Sequence, residues 1–198
     1  ESTSRMIDVL TIPDFLDAEV CSRILSEMLA AQGRPAVVYG REAGGAVDNS
    51  VRRVERVTVL SATCHFVTDA LTAKQSDIGR HFGIELDEPE EPQFLRYRPG
   101  DFFVAHQDGN TPMIYDNTRF RKVSVVIFLN QQSEEPMDGA YSGGSLVLHG
   151  AYPNYDYRQS VPNTPGSLAA FRSETTHEVL PVEAGERFTI VSWYRYGG

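Results

Sequence analysis

From Asp17 onward, apolar residues fall at helical spacing: Val20, Cys21, Ile24, Leu25 and Met28. Asp17 stands before them as an N-cap, and Gly33 and Pro35 end the helix. Beyond it, Val37, Val38 and Tyr39 predict a strand that leads into a mobile loop through Gly44 and Gly45. Val51, Val54, Val57 and Val59 read as strand, although Arg52, Arg53, Glu55 and Arg56 blur the alternation. From Ser61 to His81 the helical period returns, with Phe66, Val67, Ala70, Leu71, Ile78 and Phe82 as its apolar positions. The acidic, proline-bearing run from Asp87 to Pro92 predicts a hinge.

After that hinge the pattern shortens to strands near Gln93–Tyr97, Phe102–His106, Lys122–Leu129, Ser145–Leu148, Ser167–Phe171 and Arg187–Tyr196. Gly, Pro and Asn punctuate the intervals as they do in antiparallel sandwiches and barrels. The expected fold class is α+β: a double-stranded β-helix (a jelly roll, cupin-like) with N-terminal helices packed on one sheet. One catalytic domain is expected over 1–198, with 1–86 as a helical, sheet-extending part and 87–198 as the β-helix core.

Composition narrows the classes. A chain of 198 residues can bury a core without disulfides, and Cys21 and Cys64 are its only cysteines, so a disulfide scaffold is excluded. A single Cys21–Cys64 bridge stays open, but a reducing compartment and a cytoplasmic location are expected. No apolar run approaches the roughly 18 residues of a membrane span, and no secretory h-region opens the chain. A formal charge of −9 argues against nucleic acid as the main partner, and a monomer is expected.

Candidate chemistry lies in Tyr97-Arg98-Pro99-Gly100-Asp101-Phe102-Phe103-Val104-Ala105-His106-Gln107-Asp108. On an extended chain, His106 and Asp108 point to the same side. A third ligand is available in His177, and ten residues later Arg187 opens an apolar run through Trp193. Two histidines and a carboxylate with open positions make the facial triad of non-haem Fe(II) oxygenases. An arginine beyond them suits a cosubstrate ending in a carboxylate, though Glu183 or Glu186 could instead pair with it at the surface. Thr189 falls on the same strand face as Arg187 and can offer that carboxylate a hydroxyl. His65 and His81 are assigned to helix faces and His149 to a strand end near the site mouth.

The half of the chain from about Glu91 resembles the prolyl-hydroxylase-like branch of the Fe(II)/2-oxoglutarate dioxygenases. The resemblance rests on Tyr97-x-Pro-Gly before His106-x-Asp108; Ser124-Val-Val-Ile-Phe-Leu-Asn130; Gly143-Gly144-Ser-Leu; Pro165-Gly166-Ser167; and His177-Glu-Val-Leu-Pro-Val-x-x-Gly-x-Arg187 with Trp193 after it. It implies His106, Asp108 and His177 as metal and catalytic residues. Arg187 would bind the cosubstrate, with Tyr97, Thr189, Leu146 and Trp193 around it; the last two could equally be plain core. Retention of Asp108 favours hydroxylation, since related halogenases carry a small residue there. Phe128 falls where the animal oxygen-sensing prolyl hydroxylases have a tyrosine that hydrogen-bonds the cosubstrate. Phenylalanine cannot donate, so either Thr189 compensates or the cosubstrate binds more weakly.

The function implied is hydroxylation of a prolyl residue in a protein or peptide, converting 2-oxoglutarate and O2 to succinate and CO2 at Fe(II). Hydroxylation of a free amino acid or other small metabolite is the alternative, and a non-catalytic metal-binding jelly roll is a third reading. The peptide reading draws on long segments at 33–50, 109–120, 131–144 and 151–161 and on their Tyr39, Arg41, Tyr115, Arg119 and Tyr152 as substrate contacts.

Overall fold

The computed structural model describes residues 7–36, 50–110 and 117–196. The first part of the chain forms β1 (Val9–Ile12), α1 (Ala18–Ala30), β2 (Gly33–Pro35), β3 (Arg52–Arg53), β4 (Glu55–Val57), α2 (Ser61–Phe82) and β5 (Leu86–Pro89). There follow β6 (Gln93–Tyr97), β7 (Phe102–His106), a turn of 3-10 helix (Asn117–Phe120), β8 (Arg121–Phe128), β9 (Ser142–Gly143), β10 (Leu146–His149) and β11 (Arg158–Ser160). The chain closes with β12 (Leu168–Arg172), β13 (His177–Val179), β14 (Val182–Ala184) and β15 (Arg187–Tyr196).

Asp17 caps α1 as its sequence suggests: its carboxylate accepts from the Val20 N–H at 2.8 Å, and Cys21, Ile24 and Met28 bury one stripe. No side chain of its own caps α2 at Leu60. Glu27 of α1 does it instead, accepting from the Leu60 N–H and from the Thr63 hydroxyl, the latter at 2.6 Å. Gly83, in the left-handed conformation that glycine tolerates best, ends α2. No helix among the described residues is long and apolar enough to cross a membrane.

The eight-stranded sheet runs β1-β12-β8-β15-β6-β4-β2, with β5 also on β15; the five-stranded sheet runs β11-β10-β13-β7-β3. The spine is β15, antiparallel to both β6 and β8. Its alternation divides the core. Phe188, Ile190 and Tyr194 face α1 and α2, and the Tyr194 hydroxyl donates to the Leu71 carbonyl at 2.6 Å. Arg187, Thr189, Val191 and Trp193 face the other way, into the space between the sheets. Full burial of a side chain such as Ile190 contributes about 1.5–3 kcal/mol, so the helical layer keeps the large sheet in place behind the site.

Several expectations need correction. The Asp87–Pro92 run is no hinge: Leu86–Pro89 is a strand on β15, and the Glu90 N–H donates to the Trp193 carbonyl. Acidity misleads there because the strand sits at an accessible position where charged side chains remain in water. The valines from Val51 to Val59 do not make one strand; β3 joins the smaller sheet and β4 the larger. Residues Gly33–Pro35 form β2 on β4, with α1 already ended at Ala30. Both cysteines are free thiols. Val37–Tyr39 and the Gly44-Gly45 loop lie outside the described residues.

Candidate active site

Pairing of β13 with β7 sets His177 directly opposite His106. With Asp108, just past the end of β7, these side chains bring three ligand atoms within 4.8 Å of one another. Asp108 Oδ1 lies 3.2 Å from His106 Nε2 and 3.4 Å from His177 Nε2. Each ring is oriented by its other nitrogen: His106 Nδ1 bonds the Val104 carbonyl at 2.7 Å and His177 Nδ1 the Thr175 carbonyl at 2.9 Å. That arrangement puts the proton on Nδ1 and aims the Nε2 lone pair inward, the tautomer a metal ligand needs. Asp108 Oδ2 is already engaged, accepting from Ser124 Oγ at 2.7 Å and Trp193 Nε1 at 2.9 Å.

The electrostatics agree with a cation site. Burial pushes the Asp108 carboxyl up, but the two imidazoles outweigh it and hold it well below the usual carboxylate range. Burial lowers His177, yet Asp108 more than reverses this, while His106 is pushed down by burial and by His177. A buried carboxylate between two imidazoles draws positive charge to this place, which a ring proton or a metal cation can supply. The donor set, two imidazoles and one carboxylate oxygen, fits Fe(II) with open positions.

A second polar feature lines the same pocket, on β15. Arg187 is 2% exposed, with its guanidinium 4.8 Å from the Tyr97 ring centre and 5.9 Å from that of Phe128. It forms no ion pair with a described carboxylate; Glu186 is taken instead by Arg96 at 2.6 Å. Arg187 Nε and Thr189 Oγ1 are both buried without a hydrogen-bond partner among the described residues. Buried polar groups are usually paired, so these two are donors available to an anionic acceptor in the pocket. Registry explains the setting: Tyr97 pairs with Arg187 and Phe128 with Thr189, so the ring that cannot donate sits beside the hydroxyl that can. Asn130 holds the start of β15, donating to the Glu186 carbonyl at 2.7 Å and accepting from the Phe188 N–H at 3.0 Å.

Leu146 and Trp193 also line this pocket. Arg52 does too, a residue that the sequence pattern did not single out. Its guanidinium lies 4.7 Å from the centre of the Phe103 ring, which in turn stacks on His106 at 3.5 Å. Only the pairing of β3 with β7 brings it here. Of the expected substrate contacts, Tyr39, Arg41 and Tyr115 lie outside the described residues. Arg119 packs over Phe120 on the 3-10 turn. Tyr152 is 80% exposed beside Tyr155, on a groove of about 620 Å³ bordered by Gln107, His149 and Thr176. His149 ends β10 and bonds Glu178 at 3.0 Å, whereas His81 on α2 bonds Asp8 at 2.8 Å.

Residues 92–195 match the family model of the 2OG-Fe(II) oxygenase superfamily. The chain belongs to that superfamily. This oxygenase therefore works with Fe(II), 2-oxoglutarate and O2. It is 27% identical over 186 residues to a PKHD-type hydroxylase of Synechococcus elongatus, an alignment covering 93% of this chain and 77% of that one. A PKHD-type hydroxylase of Paraburkholderia phytofirmans is 28% identical over 187 residues, with the same coverage. The fold is shared with a Pseudomonas putida prolyl-4-hydroxylase at a TM-score of 0.71 and 24% identity, over 97% of this chain and 94% of the other. It is shared also with a Trichoplax adhaerens prolyl hydroxylase in complex with a hypoxia inducible factor peptide fragment, at a TM-score of 0.72 and 20% identity, over 95% and 83%. The oxygenase thus has the jelly-roll core of those enzymes.

Proposed function

We propose that His106, Asp108 and His177 hold the Fe(II), that Arg187 and Thr189 receive the far carboxylate of 2-oxoglutarate, and that the substrate is a prolyl residue of a peptide or protein segment. The observation that carries the reading is the coincidence, in one pocket, of a preoriented triad with two orphaned buried donors. The metal with its cosubstrate supplies the oxidising power that inserts oxygen into a C–H bond, leaving succinate and CO2.

The protein's own part is positioning. Val104 and Thr175 fix the imidazole tautomers, and Ser124 and Trp193 fix the carboxylate. Arg187 anchors the cosubstrate from the far end of the pocket, with the Tyr97 ring against its guanidinium. Leu146, Val179 and Val191 line the space between and keep water from it. A peptide substrate is favoured by the groove bordered by Gln107 and Thr176, chain neighbours of the proposed ligands, where Tyr152 and Tyr155 stand exposed as large flat surfaces for an extended chain. The PKHD-type relatives are hydroxylases by name, and the Trichoplax structure pairs this fold with a peptide.

Incubating the oxygenase with proteome-derived peptides, Fe(II), 2-oxoglutarate and air, then sequencing them by mass spectrometry, tests this. A gain of one oxygen mass on proline is expected. Unmodified peptides together with stoichiometric succinate release driven by a free amino acid would replace the peptide substrate with a metabolite.

A further inference from the structure

We propose that Glu90 and Arg121 are positioning residues for the carboxylate of Asp108, acting through the face of Trp193. The inference rests on the assignment of His106, Asp108 and His177 as metal ligands. The two oxygens of Asp108 are not equivalent. Oδ1 faces both imidazoles, whereas Oδ2 turns away to accept from Ser124 and Trp193. With Oδ2 held, only Oδ1 is offered to a metal, and the carboxylate ligates at one point. Two-point ligation would consume a position that the cosubstrate or O2 needs.

That division of labour requires the indole to stay in place. The Arg121 guanidinium carbon lies 3.6 Å from the Trp193 ring centre, a contact stack. Its fork is fixed in turn by Glu90, with Nε to Oε2 at 2.8 Å and Nη2 to Oε1 at 3.0 Å. Glu90 is bound to β15 itself, donating its N–H to the Trp193 carbonyl at 2.9 Å and accepting from Ser192 Oγ at 2.6 Å. The links close a ring: backbone of Trp193, Glu90, Arg121, face of Trp193. The indole thus lies against a guanidinium that is itself held by a bidentate ion pair largely shielded from water.

The cation also acts on the donor. Positive charge over an indole face draws electron density from the ring, which strengthens the N–H as a hydrogen-bond donor. Arginine suits the place because a planar guanidinium can stack and form a two-point carboxylate pair at once; the compact ammonium of lysine cannot. The competing explanation is plain fastening, in which Glu90 and Arg121 only tie β5 to β8 and β15. That explanation predicts lower thermal stability with an unaltered metal site.

The test is calorimetric titration of the metal-free protein with Co(II), together with the visible absorption of the bound Co(II). Trp193 is the sole tryptophan, so its emission reports the indole directly. Partners of metal ligands typically contribute 10–100-fold in metal affinity. Trp193→Phe is expected to weaken Co(II) within that range, and Arg121→Lys, which keeps the ion pair but not the stack, by about tenfold. Arg121→Lys should also change the Co(II) band and the tryptophan emission. Adding Arg121→Lys to Trp193→Phe should cost nothing further, because the effect passes through the ring. Glu90→Gln/Arg121→Met removes both charges together and should match Arg121→Lys. Wild-type Co(II) affinity and spectrum in the folded Arg121 variants, or fully additive losses in the double variant, would overturn the proposal. Asp108→Ala serves as control: if it binds Co(II) as tightly as wild type, the ligand assignment itself fails.

Discussion

Valine reproduces the shape of threonine without its hydroxyl, and Thr189 is 1% exposed with Oγ1 unpartnered. Thr189→Val should therefore move stability and cosubstrate affinity in opposite directions. In the cosubstrate-free protein, an unsatisfied buried hydroxyl costs about 1–3 kcal/mol, and valine removes that cost. A gain of about 1 kcal/mol corresponds to a melting temperature roughly 2–4 °C higher for a chain of this size. In the complex, the same hydroxyl faces a carboxylate, and loss of a hydrogen bond to a charged acceptor costs about 1.5–3 kcal/mol. The expected rise in the 2-oxoglutarate dissociation constant is about 10- to 150-fold, with smaller values if water fills the gap. Calorimetric titration of 2-oxoglutarate into the anaerobic Fe(II) form gives the affinity, and scanning calorimetry without it gives the stability. An unchanged dissociation constant, or a variant less stable than wild type, refutes the reasoning and leaves Phe128 uncompensated from this position.

Arg187→Ala should lose 2-oxoglutarate binding by at least about 100-fold, since a buried charge-assisted pair disappears, while Co(II) affinity changes far less. Comparable loss of both ligands in parallel titrations would place Arg187 in the fold and not in cosubstrate binding. Gly144→Ala should destabilise the protein by about 1–3 kcal/mol and weaken 2-oxoglutarate, because Gly144 has φ +64° and an added Cβ would lie 2.9 Å from Val182 Cγ2 and 3.2 Å from Arg187 Cδ. Denaturant melts and the same titration check it, and wild-type values for both would mean that Arg187 has room to move. Burial raises the thiols of both Cys21 and Cys64, with Asp17 adding to the first and Glu91 to the second. At pH 8 both should therefore alkylate slowly in the native protein, and the Cys64 rate should go on climbing with pH above the ordinary thiol range before it levels off. Rapid labelling of Cys21 at pH 8 would contradict its buried setting.

Much of the proposed site was legible because its residues are tied to short-range patterns. The His106-x-Asp108 spacing places two candidate ligands on one side of an extended chain whatever else the protein does, and Arg187 and Thr189 share a strand face for the same reason. The helix at Asp17 declared itself by its cap and its apolar stripe. Registry between distant strands was not legible, and it decides the rest. Pairing of β13 with β7 sets His177 opposite His106, and pairing of β15 with β8 sets Trp193 opposite Ser124, so that both donate to Asp108. Trp193 read as a pocket wall; its hydrogen bond, and the Arg121 stack behind it, exist only across strands. Arg52 was hidden because β3 is two residues long and belongs to the sheet that β4, one residue later, does not join. The strand Leu86–Pro89 read as a hinge because acidic residues and proline depress strand propensity locally, while hydrogen bonds offered by β15 outweigh that preference in the folded chain. Local spacing determined which side chains could share a face; contact between faces, and hence the proposed metal set, the orphaned donors and their supports, came from strand pairing over long sequence separations.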